Sequence, residues 1–194
     1  MNGDKITGIL LAGGKSKRMG REKGLIPVGD ALMYQFPLRV LESICDKILI
    51  STCKQLDIEE AHEQVNDEIT GIGPISGLYT CLKHSETDLN LVVPYDLPLV
   101  NSGLFLHLLK HVNGYEVVIA AMEPGKPESL CGIYRKAVLP VIREMIMEKN
   151  YAIHQLLPRV NSTVAIVDPS HPFYHEKLFF NVNYPSDLED ILKD

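Results

Sequence analysis

Ile6-Thr7-Gly8-Ile9-Leu10-Leu11-Ala12-Gly13-Gly14-Lys15-Ser16-Lys17-Arg18-Met19-Gly20-Arg21-Glu22-Lys23 joins an apolar run to a glycine pair and then to a cluster of cations. The run Ile6–Leu11 predicts a buried strand. Gly13 and Gly14 can turn sharply after it and expose backbone N–H groups to an anion without side-chain obstruction. Arg18 and Lys23 add positive charge. The stretch therefore predicts a strand feeding a phosphate-holding loop, with a solvated basic turn as the plainer alternative. A Walker A loop would need glycine where Ile9 stands, and no G-x-G-x-x-G pattern follows the strand.

Outward from that loop, short apolar runs alternate with longer segments of helical spacing, the pattern of an α/β sheet. Strands are predicted over Ile6–Leu11, Lys47–Ser51, Asn90–Val93, Val117–Ala121 and Thr163–Val167. Helices are predicted around Leu38 and Leu41, with Pro37 near the start, and over Ile75–Leu82, Ser102–His111 and Lys136–Glu148. Ser102 is a candidate cap, and Ser186 could cap a last helix over Asp187–Leu192. No repeat, low-complexity tract or linker interrupts the pattern, so residues 1–194 read as a single domain.

With 194 residues, 45% of them hydrophobic and 23% charged, the chain can bury a proper core. Its net charge of -6 argues against nonspecific nucleic-acid binding, which normally draws on a basic excess. No run approaches the ~20 apolar residues of a membrane span, and the N-terminus lacks a signal-peptide core, so a cytoplasmic protein is expected. Cys45, Cys53, Cys81 and Cys131 show no C-x-x-C spacing and read as reduced structural thiols. His107 and His111 are four apart on a predicted helix, but no third ligand is evident, and a solvated face is the expectation.

Asp96 follows the apolar strand at its carboxyl end, bracketed by Pro94 and Pro98, where open parallel sheets form their binding crevice. From position alone it reads equally as a Mg²⁺ ligand or as the cap of a turn. Gly71-Ile72-Gly73-Pro74-Ile75-Ser76-Gly77 is a second glycine loop feeding a helix, readable as an anion site or as a tight turn. Asn181 and Asn183 alternate on a predicted short strand, which puts both amides on one face. Neither a G-x-S-x-G elbow nor a Cys-His pairing argues for a protein nucleophile.

The first loop resembles, nearly letter for letter, the L-A-G-G-x-S-x-R-M-G-x-x-K signature of the molybdenum cofactor guanylyltransferases. Asp67, Gly73-Pro74-Ile75-Ser76-Gly77, Pro94-Tyr95-Asp96-Leu97-Pro98 and Phe180-Asn181-Val182-Asn183-Tyr184-Pro185-Ser186-Asp187-Leu188 follow in that family's order. The resemblance implies a single-domain, Rossmann-like α/β nucleotidyltransferase fold, with a mostly parallel central sheet and helices on both faces. It implies transfer of GMP from GTP to molybdopterin or the molybdenum cofactor, with pyrophosphate released. Its implied roles are catalysis for Arg18, Lys23 and Asp96; nucleotide binding for Leu11, Ala12, Gly13, Gly14, Lys23, Asp67 and Asp96; Mg²⁺ on Asp96; and acceptor binding for Gly73, Gly77, Asn181 and Asn183, with contact to the base the alternative for the Gly73–Gly77 element. Recipient molybdoenzymes or cofactor-delivery proteins are further candidate partners, with no nucleic acid or membrane.

Relatives that transfer CMP typically read L-A-A-G, so the bare Gly13 leaves room for a purine. The chain departs from the family's usual residues at Tyr95, Tyr184, Cys53 and the Glu128-Ser129 pair. The departures at Tyr95 and Tyr184 keep open a related enzyme that activates a sugar or polyol phosphate. A non-catalytic nucleotide-binding module in cofactor delivery is the remote alternative.

Overall fold

A computed structural model of the chain describes residues 5–13, 23–53, 62–183 and 187. Strands β1 (Ile6–Leu11), β2 (Pro27–Val28), β3 (Ala31–Leu32), β4 (Lys47–Thr52), β5 (Glu63–Asn66), β6 (Leu89–Pro94), β7 (Val117–Ala121), β8 (Gly132–Arg135) and β9 (Ser162–Ile166) are joined by helices α1 (Gln35–Glu42), α2 (Pro74–His84), α3 (Ser102–Leu108) and α4 (Leu139–Met147). The central sheet has seven strands in the order β5-β4-β1-β6-β8-β7-β9. All neighbours are parallel except β8, which is antiparallel to both β6 and β7. The expected mostly parallel α/β sheet is the observed one.

Alternation along the strands divides the core between the two faces of the sheet. Leu10, Ile48, Ile50, Leu91 and Val93 pack with Leu38 and Leu41 of α1 and Leu104, Phe105 and Leu108 of α3. Ile9, Leu11, Leu49 and Val92 pack on the other face with Ile75, Leu78 and Leu82 of α2 and Ile142 and Met145 of α4. Because every inner position on β1, β4 and β6 is covered, these strands read as unbroken apolar runs, which is why they are visible in the sequence.

Strands without that signature escape sequence reading. β5 is an edge strand of only four residues, with Val65 alone buried, and β8 is four residues led by a glycine. The hairpin of β2 and β3 is shorter still. At α3 the structure corrects the expected cap: Asn101, in an extended conformation, accepts a 3.2 Å hydrogen bond from the Leu104 N–H, and Ser102 is already helical. α4 is preceded by a 3-10 turn, Lys136–Val138, and Pro140 sits in its first turn, where it breaks no hydrogen bond.

His107 is not on a solvated face as expected. Its ring lies 4.6 Å from that of His171 and 5.5 Å from that of Phe173, with His111 at 4.9 Å on the other side. Burial, and then the neighbouring His171 and His111, push its pKa below the usual histidine value. Asn101 adds a 2.9 Å bond from Nδ2 to the Phe173 carbonyl, so α3 anchors the segment that runs on to residues 181–183. Among the described residues, no group of three or more His, Cys, Asp or Glu could hold a metal ion, and no helix is long and apolar enough to cross a membrane.

Leu91 is fully buried on β6, between β1 and β8. Leu91→Ala is expected to lower stability by ~2–5 kcal/mol through lost transfer energy and the cavity left behind. Urea denaturation followed by circular dichroism measures this, and an unchanged midpoint would contradict the central placement of β6.

Candidate functional site

After β1 the chain crosses to β4 on one side and later returns to β6 on the other, so the carboxyl end of β1 faces a topological switch point. Main-chain bonds carry the pairing beyond the strand ends: Ala12 N–H to Ser51 O at 2.9 Å, Asp67 N–H to Thr52 O at 3.0 Å, and Tyr95 N–H to Leu11 O at 3.2 Å. Gly13, Ser51, Cys53, Asp67 and Asp96 are thereby gathered on one edge of the sheet.

One part of that edge is a cavity of about 390 Å³ lined by Leu11, Gly13, Ser51, Cys53, Asp67, Gly71, Gly73, Pro74 and Gly77. Among the described residues that line it, Asp67 is the only carboxylate. Ser51 Oγ donates to Asp67 Oδ1 at 2.8 Å, and Cys53 Sγ lies 3.7 Å from Oδ2 as a weak donor. Burial pushes the Asp67 pKa up, and these two bonds, which favour the carboxylate, work against it.

Glycines give the cavity its floor. Gly73 caps α2 with φ 82° and ψ -164°, a conformation open to glycine and strained for other residues. Gly77 needs its bareness for a different reason, since a Cβ there would fall 2.1 Å from Ser51 Oγ. At Gly13, whose φ is not left-handed, an added Cβ would stand 3.3 Å from Asp67 Oδ2 and 3.4 Å from Cys53 Sγ. A methyl group at 13 would therefore project into the cavity without straining the backbone.

The second part of the edge centres on the half-buried Asp96, whose carbonyl accepts the Val182 N–H at 3.1 Å. That bond brings the exposed Asn181 and Asn183 beside the β6 terminus. Their segment is not a strand, as the alternation had suggested, but the alternation survives, with Val182 buried between them. The Asn183 N–H donates to Asp187 Oδ2 at 2.7 Å.

Glu128 arrives from the other side. The antiparallel pairing of β6 and β8 ends at Val92 and Gly132, and the turn that precedes β8 holds Glu128 by its N–H, bound to the Ala120 carbonyl at 2.8 Å, close enough to feel the charge of Asp96. Burial and then the Asp96 charge push the Glu128 carboxyl above the usual range. Two carboxylates brought together in this way form a hard oxygen donor set, suited to an ion held by one or two carboxylates and by substrate phosphates.

These geometries sort the sequence candidates. Leu11, Gly13 and Asp67 share one cavity. Gly73 and Gly77, open in the sequence to base or acceptor contact, line the Asp67 cavity, because α2 begins directly beneath it. Tyr95 is 7% exposed and turns its ring into the core, close to Gly24, so that departure is absorbed by packing. Cys53 is exposed and belongs to the cavity, so it is not a structural thiol. Ala12 leads out of β1. Lys23 opens the 3-10 turn Lys23–Leu25, and Gly14, Arg18, Tyr184 and Ser186 lie outside the described residues, as does the last helix apart from Asp187. Ser51 and Glu128 were missed as site residues. Ser51 is legible only as the first polar residue after Ile48-Leu49-Ile50, and Glu128 has no local signal, since the turn before β8 carries it in.

Residues 8–164 match the MobA-like NTP transferase domain. The chain belongs to that family. It is 32% identical, across 97% of each chain, to a protein of Flavobacterium johnsoniae described as a probable molybdenum cofactor guanylyltransferase. A protein of Carboxydothermus hydrogenoformans with the same description is 29% identical across 97% of this chain and 95% of its own. The crystal structure of molybdopterin-guanine dinucleotide biosynthesis protein A from Archaeoglobus fulgidus superposes with a TM-score of 0.82 at 22% identity, covering 96% of this chain and 97% of that one, and shows the shared fold. The chain is accordingly a nucleotidyltransferase.

Thiol reactivity checks the cavity's geometry. Cys81 and Cys131 are buried, their thiols pushed up chiefly by desolvation, and the Cys45 thiol is raised to about 12. Iodoacetamide at neutral pH should therefore alkylate Cys53 first. Peptide mapping reads the order, and earlier labelling of Cys81 or Cys131 would contradict the packing described.

Proposed function

We propose that the protein transfers GMP from GTP to molybdopterin or its molybdenum-bound form, releasing pyrophosphate and forming a guanine dinucleotide cofactor. The observation that carries the donor assignment is the open face of Gly13 toward the anchored Asp67 carboxylate. Guanine presents an N1–H and a 2-amino group side by side, a donor pair that a carboxylate accepts. Adenine and cytosine offer a ring-nitrogen acceptor on that edge, which a carboxylate repels. Gly73 and Gly77 belong in this reading to the base side, and Leu11, Ala12 and Gly14 to the path of the nucleotide.

In the reaction an oxygen of the acceptor's phosphate attacks the α-phosphorus of GTP in line. The new P–O bond forms as the bond from the α-phosphorus to the α,β-bridging oxygen breaks, and the electron pair leaves on pyrophosphate. Bound Mg²⁺ supplies neutralisation and orientation of the phosphates. Asp96 would hold it, with Glu128 as the second carboxylate at the same edge. Arg18 and Lys23 offset charge on the transferring and leaving groups, while Asn181 and Asn183 offer amide donors and acceptors to the pterin. Positioning and electrostatics supply the rate, without a covalent enzyme intermediate.

Incubating the protein with Mg²⁺, molybdopterin and each nucleoside triphosphate in turn, with pyrophosphate release as the readout, tests the reading directly. GTP should be the productive donor, and release with a sugar or polyol phosphate in place of molybdopterin would reassign the acceptor. Asp96→Asn removes a ligand charge at nearly constant volume, so it should abolish most turnover while leaving the thermal midpoint close to that of wild type. Wild-type activity in that variant would reject the metal assignment.

Gly13→Ala offers a sharper check on the donor. Its methyl group meets the base side of the cavity, so kcat/KM for GTP relative to CTP should fall by about 10–200-fold, the range in which pockets reject an ill-fitting group. If both rates drop equally, the steric account of purine choice is wrong.

A further inference from the structure

Asp67 is fixed at its backbone, because its N–H is bound to the Thr52 carbonyl at 3.0 Å as β5 leaves the sheet. Its side chain still has two rotatable bonds, and a carboxylate free to rotate would present its lone pairs to a base in many orientations. The 2.8 Å bond from Ser51 Oγ to Oδ1 removes that freedom. Ser51 is 1% exposed, so its hydroxyl cannot turn to solvent, and the space it occupies exists only because residue 77 has no Cβ. We infer that Ser51 is a positioning residue for nucleotide selection: it orients the Asp67 carboxylate toward the paired N–H donors of guanine, in a slot that Gly77 leaves open.

The inference rests on the reading of Asp67 as the base-recognising group and extends it to a residue that acts through that carboxylate. A hydrogen bond from a hydroxyl to a charged carboxylate is short and directional, and it acts on orientation as well as on energy. Cys53 Sγ, at 3.7 Å from Oδ2, is too weak a donor to substitute for it. Losing the Ser51 hydroxyl should thus leave the cavity and its carboxylate present but unaimed. The 2-amino group of guanine is the part of the ligand that will report this.

The test measures binding of GTP and of inosine 5′-triphosphate, which lacks only the 2-amino group, by calorimetric titration of wild type, Ser51→Ala, Asp67→Asn and the double variant. Wild type should prefer GTP, and Asp67→Asn should abolish most of that preference. Ser51→Ala should reduce it by about tenfold, the scale of a hydrogen bond to a charged group. Added to Asp67→Asn, the serine substitution should change the preference no further, since it acts through that carboxylate.

A Ser51→Ala variant that weakens both nucleotides alike would reduce Ser51 to a packing role and overturn the inference, as would losses that add in the double variant. Wild type without a GTP preference, or Asp67→Asn that keeps one, would refute the reading of Asp67 itself and take the inference with it. Gly77→Ala provides a check that leaves the serine in place. Its methyl group displaces Ser51 Oγ, so the GTP preference should fall as it does in Ser51→Ala, and a preference kept in full would overturn the slot.

Discussion

Strand β1 can occupy the centre of the sheet only while its side chains are covered on both faces and its main chain is paired on both edges. Ile9 and Leu11 are buried toward α2, Leu10 is buried toward α1, and β4 and β6 supply parallel partners along its length. An unpaired N–H or C=O at that depth would cost the desolvation of a polar group, so the pairing is obligatory. Parallel pairing then carries a further consequence: every strand drawn in beside β1 in the same direction ends on the same edge. The candidate site occupies that edge, and its residues owe their proximity to main-chain hydrogen bonds more than to contacts of their own.

The two parts of the edge differ in the kind of order they impose. Around Asp67, a buried hydroxyl, a weak thiol donor and a floor of glycines hold one carboxylate in a narrow apolar space. Around Asp96, a second carboxylate, Glu128, comes near from the turn before β8, and polar amides stand exposed beside them. The first arrangement suits recognition of a flat heterocycle with donors on one edge. The second suits charge that arrives with a ligand and needs compensation. Between them runs the end of β1, at Ala12 and Gly13, which gives one short segment a view of both.

Antiparallel β8 does quiet work in this design. Because it runs against β6, the turn that precedes it lies at the carboxyl edge, and Glu128 enters from a part of the chain far from the glycine loop. The segment after β9 does the same from the opposite direction, held on α3 by Asn101 and by ring contacts among His107, His171 and Phe173. Both are delivered by packing that has nothing to do with nucleotide chemistry.

The sequence by itself determined the architecture and the nature of the first loop. The runs Ile6–Leu11 and Val117–Ala121 reappear as strands with the same limits, because continuous burial leaves a continuous apolar signature and glycines mark where a backbone must turn or come close. Gly13 and Asp96 were legible as individual candidates for the same reason, since each follows a strand or opens a loop, whereas Asp67, at the end of an edge strand with no signature, was singled out only by the family resemblance. Only the tertiary structure decided which of them share a space. It set Gly73 and Gly77 on the Asp67 side, sent Tyr95 into the core, drew Ser51 into the site through strand pairing and brought Glu128 in on the turn before β8. Local pattern records what a residue's own element must bury, whereas the company a side chain keeps across the sheet depends on strand order and register, which no single stretch of chain encodes.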